Sequence, residues 1–333
     1  MARRPSLFAL CAGLALLAGC KPTPDADYLA SLQKARGLID DNRAYVDNSR
    51  LDEAMAITTH LMTTQPQIAL AYVQAARARA QGGHVAQNKS ADAEQLARGA
   101  IELDADNCEA HCVLAGLLYH QKRYEEGLKE LDAADRTGCD YPWRHVNRGR
   151  ILNEQQRYDE AAKAFAQVQP GSADQHNARD AYVQAQHGLA WIAYRHDDAK
   201  ALHDLTLAAL KQADDADPWA RGNASDLLTR AGNFEEAIEL AREALKRKDY
   251  PAGREDLANA LYGQSLWLSS RPGDVDANAR ATAMEAEAAA VDPNFVRAGN
   301  VLVGSLANRD EAFHLSLQQR LQGAIQQARG DAL

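Results

Sequence analysis

Along residues 155–165, QQRYDEAAKAF, apolar positions fall at helical rather than strand spacing. Tyr158, Ala161, Ala162 and Phe165 recur every three or four residues, with charged residues between them. That period marks one buried face of an amphipathic helix. The same phrase stands at residues 121–131 as QKRYEEGLKEL, with Tyr124, Gly127, Leu128 and Leu131 in the equivalent places. Related versions begin at Gly232-Asn233-Phe234 and at Leu51-Asp52-Glu53-Ala54-Met55. Each keeps a small residue at one fixed position, where two helices can approach closely. An aromatic or leucine three residues earlier can plug the gap to a neighbour. Runs of alternating Val, Ile and Thr, the strand signal, are nearly absent. Much of the apolar content is alanine, the strongest helix former. The pattern therefore predicts an all-α chain.

Tyr124 and Tyr158 are 34 positions apart, and Ala161 and Ala237 are separated by two intervals of similar length. A plain antiparallel bundle has no reason to space its motifs this way. The pattern resembles the tetratricopeptide repeat (TPR), a helix–turn–helix unit of 34 residues. Gly149 and Leu152 match the first-helix glycine and large residue of that family, and Ala115 and Leu118 match them one repeat earlier. Pro66, Pro218 and Pro293 match the proline that follows the second helix. The resemblance implies a right-handed α-solenoid over residues 28–330. Its hairpins are expected near 27–66, 69–105, 108–138, 141–170, 176–217, 219–249 and 254–292, with 295–330 closing the stack. The third, fourth and sixth match well. The second, fifth and seventh depart from the pattern, the second through an extra loop at Gln81–Ser90.

A solenoid buries a ribbon of core between neighbouring hairpins and leaves a concave face for binding. In the repeat register, Glu109, Cys112, Gly116, Tyr119 and His120 face the groove from the third repeat. Trp143, Val146, Arg150, Asn153 and Glu154 do so from the fourth, and Trp219, Asp226, Thr229 and Arg230 from the sixth. The partner-binding set expected from these is Tyr119, His120, Trp143, Arg150, Glu154, Trp219 and Arg230. Tryptophan beside arginine is the common make-up of a binding hot spot. The alternative for Trp143 and Trp219 is packing against the neighbouring hairpin. The groove lacks the Lys and Asn pattern by which some TPR proteins grip a terminal carboxylate.

The first twenty residues carry a separate signal. Arg3 and Arg4 precede an apolar run from Leu7 to Ala18, which ends in Leu17-Ala18-Gly19-Cys20. The run is shorter than the about 20 residues a membrane-spanning helix needs, and reads as a signal peptide. It resembles the lipobox of bacterial lipoproteins. The resemblance implies cleavage between Gly19 and Cys20 and lipidation of Cys20. Two or three acyl chains would anchor the protein firmly. Lys21, where the family's Asp marks inner-membrane retention, implies the outer membrane, facing the periplasm. Residues 20–27 then form a lipidated tether, about 20 Å long if extended around Pro22 and Pro24.

Cys108, Cys112 and Cys139 remain after such processing. In an oxidising compartment a disulfide is expected. Cys139 falls in the turn before the fourth hairpin and Cys108 opens the third, so Cys108–Cys139 is the expected bridge, with a third thiol left over. Cys108-Glu-Ala-His111-Cys112 is not the C-x-x-C-H haem motif. A zinc site there would need a further ligand such as His145, and His111 reads as a core histidine. His187, His196-Asp197 and His203-Asp204 hint at a metal-dependent hydrolase. However, His187 and His196 are nine residues apart, which puts them on opposite helix faces. No catalytic motif is recognised, so no catalytic residue, metal or cofactor is assigned.

The net charge of −9, two units more negative without Arg3 and Arg4, disfavours nucleic acid. The expected function is a lipid-anchored periplasmic scaffold that binds another envelope protein. TPR lipoproteins of this kind serve pilus assembly, outer-membrane protein insertion and polysaccharide export. The alternative is a module for glycan or peptidoglycan fragments, with Trp143, Trp219 and Tyr119 stacking on sugar rings.

Overall fold

The computed structural model describes residues 22–41, 49–81, 87–138, 140–171, 176–196, 198–213, 217–269 and 275–292. Cys20, the preceding signal segment, Cys139, Asp197 and residues 295–330 lie outside them. Among the described residues there are 14 helices and no strands. In order they are α1 (Ala26–Asp41), α2 (Ser49–Thr64), α3 (Ala69–Gln81), α4 (Gln87–Leu103), α5 (Cys108–His120), α6 (Tyr124–Arg136) and α7 (Trp143–Glu154), then α8 (Tyr158–Phe165), α9 (His176–Arg195), α10 (Ala199–Gln212), α11 (Pro218–Arg230), α12 (Phe234–Arg247), α13 (Pro251–Ser269) and α14 (Val275–Val291). Two helices occupy each of the seven hairpin intervals expected from the sequence, with α1, α11 and α13 starting one to three residues earlier than expected.

The repeated phrase turns out to be a repeated turn. Lys122 and Gln156 both sit at φ 60°, and Gly232 sits at φ 78°. Each is followed by a residue of nearly identical backbone: Arg123 at φ −89°, ψ 61°, Arg157 at φ −87°, ψ 62° and Asn233 at φ −87°, ψ 60°. The left-handed residue stops the first helix, and the next residue starts the second. Arg123 N–H donates to the Leu118 carbonyl, and Asn233 N–H to the Leu228 carbonyl, both at 2.9 Å. These bonds satisfy carbonyls that a helix end leaves open. Two first helices, α5 and α11, are capped by side chains. The Asn107 side chain accepts from Ala110 N–H at 3.0 Å. Asp217 accepts from Trp219 N–H and Ala220 N–H at 2.8 and 3.2 Å, with Pro218 at the first helical position, where no N–H is needed.

The chain divides into two compact units, one ending at Gln155 and the other starting at Gln156. The division falls between α7 and α8. In the first unit α1, α3 and α5 each pack on their own second helix and on the next first helix, giving the run α1, α3, α5, α7. In the second unit α9, α11 and α13 form the corresponding run. Each unit is thus a stack of helical hairpins.

The core between hairpins is built from alanine and leucine. Ala69, Tyr72, Val73, Ala100 and Ala110 join α3, α4 and α5. Leu228, Ala237, Ile238, Leu257, Leu261 and Ala288 join α11 to α14. Leu228 and Leu261 are fully buried, each worth about 1.5–3 kcal/mol over exposure. The small residues of the repeated phrase, Ala54, Ala161 and Ala237, are fully buried as well. Phe234 plugs the gap to the next hairpin as expected: a Cβ on Gly263 of α13 would lie 2.3 Å from its ring. Phe165 meets Gly188 of α9 in the same way, at 2.4 Å.

Candidate functional site

In the first unit the first helices are tied by charge. Arg36 of α1 donates to Glu109 of α5 at 2.6 Å. Gln74 of α3 donates to the other Glu109 oxygen at 3.1 Å. Arg77, also on α3, donates to Gln74 at 2.8 Å and pairs with Asp40 of α1. Arg77 is only 7% exposed. Burial works against its charge, but Tyr141, Glu109 and Asp40 more than offset that, so its pKa is raised. This polar floor spans α1, α3 and α5.

Beside it, α5 and α7 bring aromatic and charged groups together. The Arg150 guanidinium carbon lies 5.6 Å from the Trp143 ring centre and 6.0 Å from that of Tyr119. Both distances are within the range of cation–π attraction. The Tyr119 hydroxyl makes a long hydrogen bond to Glu154, at 3.5 Å. His120 meets the Tyr119 ring edge-on at 5.1 Å. Burial lowers the Arg150 pKa, with Tyr119 opposing, yet the group stays cationic at neutral pH. Burial likewise raises the Tyr119 pKa, with Arg150 opposing and Glu154 adding to the rise. The five residues of the expected partner-binding set that lie in the third and fourth repeats, Tyr119, His120, Trp143, Arg150 and Glu154, therefore lie together.

In the second unit the expected residues separate. Trp219 opens α11 and is 41% exposed. Its ring packs at 4.1 Å on Tyr250, which precedes α13, and Lys248 lies 5.6 Å above it. Packing on the next hairpin and exposure are both true of this residue. Arg230 ends the same helix. Its Nε donates to Asp226 at 2.8 Å, and its guanidinium covers Trp191 and Tyr194 of α9 at 5.0 and 5.6 Å. Between them, Asp256 of α13 faces α11. Burial, then the nearby Asp226 and Glu255, push its carboxyl up to about 8 against the opposing pull of Arg230.

Three residues expected in the groove are buried instead: Cys112 at 1%, Val146 at 0% and Thr229 at 3% exposure. First helices pack against one another closely enough to cover these positions. Cys112 is a free thiol, pushed up to about 12 chiefly by burial. Cys108 is disulfide-bonded. Cys139, the expected partner, lies outside the described residues. His111 is a core histidine, with Nδ1 2.7 Å from Glu130 and Nε2 3.0 Å from the Ala105 carbonyl. Burial first, and then Arg144, lower the His145 pKa. His196 stacks edge-on with Tyr158 at 5.9 Å, while His203 meets Glu236 at 3.1 Å. Among the described residues no group of three or more His, Cys, Asp or Glu is arranged to hold a metal, and no helix is long and apolar enough to cross a membrane.

No protein-family model matches the chain, and no characterised protein matches it in sequence. Solved structures do. A chain of the APC/C Cut9–Hcn1 hetero-tetramer is similar with a TM-score of 0.55 at 12% identity, over 84% of this chain and 53% of that one. Human IFIT1, solved as a dimer with PPP-AAAA, is similar with a TM-score of 0.51 at 15% identity, over 74% and 56%. The chain thus spans about half the length of these two. Pseudomonas aeruginosa pilF is similar with a TM-score of 0.49 at 16% identity, over 69% and 94%. At these identities the first two speak for the fold alone: an all-α array of TPR-like hairpins.

Proposed function

We propose that this protein is a lipid-anchored periplasmic scaffold that holds another cell-envelope protein on its first helices. The observation that carries the reading is the convergence of Tyr119 from α5 with Trp143, Arg150 and Glu154 from α7. A flat cation between two rings, flanked by a carboxylate, offers apolar area and directional hydrogen bonds on neighbouring rigid helices. Such aromatic and arginine anchors carry most of the energy of protein interfaces. The sequence Leu17-Ala18-Gly19-Cys20 supports the anchor, which would keep the scaffold and its client within one short tether of the membrane. In-cell crosslinking with mass spectrometry, on the wild type and on Trp143→Ala, tests the surface. An envelope protein crosslinked to the wild type and lost in the variant is expected. Unchanged crosslinks would reject the surface, and retention on immobilised peptidoglycan fragments without any protein crosslink would favour the glycan reading. Cys20→Ser should release the protein from membranes washed in high salt.

A further inference from the structure

The seam between α11 and α13 is polar, and its groups do not complete one another. Gly222 lets α13 come close: a Cβ there would lie 3.1 Å from Asp256 Oδ2 and 2.2 Å from the Tyr250 hydroxyl. That hydroxyl donates to the Pro218 carbonyl at 3.3 Å. Among the described residues no hydrogen bond reaches the Asp256 carboxyl. Asp226 of α11 and Glu255 of its own helix face it with like charge, and Arg230 of α11 with opposite charge. Arg230 already donates to Asp226 through Nε at 2.8 Å. The other helices packed on α13 bring their charges elsewhere. Glu235 of α12 meets Gln264, and Glu285 of α14 meets Ser265, both more than two helical turns beyond Asp256.

A second observation is independent of these charges. Gly222, Ser225, Asp226 and Thr229 recur at helical spacing on one face of α11. Ser225 Oγ, Thr229 Oγ1 and Arg230 Nη1 on that helix, and Asn259 Oδ1 on α13, are buried without a partner. Buried polar atoms in folded proteins almost always have partners, and each one that lacks them weakens the contact that buries it. Leu228, Leu257 and Leu261 therefore hold this seam by apolar contact against a polar cost inside it. One further charge bears directly on that balance.

We infer that the seam between α11 and α13 is a pH-set joint: a proton on Asp256 keeps it shut, and loss of that proton loosens it. Neutral Asp256 lies near Asp226 without repulsion and brings an O–H donor. Ionised, it makes two carboxylates that share one guanidinium. Burial and these neighbours push the closed-seam carboxyl up to about 8, whereas in an opened seam it returns to the ordinary value near 3.9. The sign follows from that order. Closure by the proton is complete below about 3.9, weakens as pH climbs, and is lost as pH passes about 8. A loosened seam lets two first helices shift against each other, so pH sets the surface that α11 and α13 present. The joint lies wholly within the second unit and does not depend on the scaffold reading.

The test is amide hydrogen exchange read by mass spectrometry on the purified full chain, at pH 5.5 and at pH 7.5, corrected for intrinsic exchange rates. At 13 residues, α11 is marginal in water without its packing, so an opened seam exposes its amides. Protection in α11 is expected to fall roughly ten-fold or more between the two conditions, with much smaller changes in α9 and α10. Asp256→Asn, neutral and of nearly the same shape, should hold the acid level of protection at both. Asp249→Asn, at an exposed carboxylate paired with Arg254, should behave as the wild type. Equal protection of α11 at both pH values overturns the inference, as does a fall that survives Asp256→Asn. A fall spread evenly over α9 to α14 also overturns it, because that is general loss of stability rather than a joint. Tighter protection at pH 7.5 does so too, since Arg230 would then have turned to the ionised Asp256. The wild-type comparison stands even if Asp256→Asn fails to fold.

Discussion

The guanidinium of Arg150 lies 5.6 Å from the ring of Trp143, seven residues earlier on the same helix. Two turns of α7 bring them onto one face, and Tyr119 of α5 closes the other side at 6.0 Å. The arrangement holds Arg150 in place before any partner arrives, which lowers the entropy cost of binding. Trp143→Ala is expected to weaken partner binding by about 2 kcal/mol. Arg150→Lys keeps the charge but loses the flat stacking face and should cost about 1 kcal/mol. Dissociation constants for the crosslinked partner, read beside melting temperatures, check both. Affinity unaffected by Trp143→Ala would remove the patch from the interface.

The turn residues make a test of the repeat itself. Lys122 and Gln156 hold φ 60°, a region that costs a residue with a Cβ roughly 1–2 kcal/mol. Glycine holds the equivalent position at Gly232 without that cost. Lys122→Gly and Gln156→Gly should each stabilise by about 0.5–1 kcal/mol, part of the gain being spent on the greater freedom of glycine in the unfolded chain. Gly232→Ala should destabilise by about 1 kcal/mol. Urea midpoints at unchanged slope measure each difference.

The legible part of this fold was its period. Tyr124, Tyr158 and Phe234 mark the starts of α6, α8 and α12, because turn, small residue and plug all recur at fixed offsets. The Tyr119, Trp143, Arg150 and Glu154 patch was legible for the same reason. Other parts depend on contacts that no local pattern encodes. Arg36 meets Glu109 across 73 residues, and only the stacking of α1, α3 and α5 makes them neighbours. Tyr250 lies in a linker, where no helical period points to its packing on Trp219. Asp256 sits in the seventh hairpin, one of those that depart from the repeat pattern. Cys112 and Val146 occupy groove positions of the repeat, but neighbouring first helices cover them.

His111 predicts a pH dependence of known sign. Both of its partners, the Glu130 carboxylate and the Ala105 carbonyl, are acceptors, so only the doubly protonated ring donates to both. The bond to Glu130 raises its pKa, against burial, and the Ala105 carbonyl adds to the rise. A raised folded pKa gives stability that is full below the unfolded value near 6.5 and is lost as pH climbs through the folded value. His111→Gln should therefore cost about 1–3 kcal/mol at acidic pH and distinctly less at pH 9. Paired denaturation curves of wild type and variant across that range provide the check. A constant difference would show that the ring is bound neutral.

Two glycines in helices should respond in opposite directions. A Cβ at Gly263 would lie 2.3 Å from the Phe234 ring, and that ring is 2% exposed, so it has nowhere to retreat. Gly263→Ala is expected to cost about 1–3 kcal/mol. Gly37 stands in α1 with nothing within 4 Å of its Cβ position. Gly37→Ala should gain about 0.5–1 kcal/mol from helix propensity. Melting temperatures of the two variants should bracket that of the wild type.

The Arg77 network separates the cost of breaking a buried charge pair from its worth. Arg77 at 7% side-chain exposure pairs with Asp40 at 19% and approaches Glu109 at 17%. Glu109→Ala removes the shared acceptor of Arg36, Gln74 and Arg77 and leaves two cations facing a gap. Removing one partner of a buried pair costs about 3–5 kcal/mol; Arg36, at 42% exposure, can turn to water, so the lower end is expected. Arg77→Met together with Asp40→Leu and Glu109→Leu removes every buried charge of the cluster and puts apolar side chains in its place. Such replacement is often neutral or stabilising. The triple variant should therefore be more stable than Glu109→Ala alone, although it carries more substitutions. If instead the triple variant is the weaker of the two in urea, the network contributes a net attraction between α1, α3 and α5 that apolar packing does not replace.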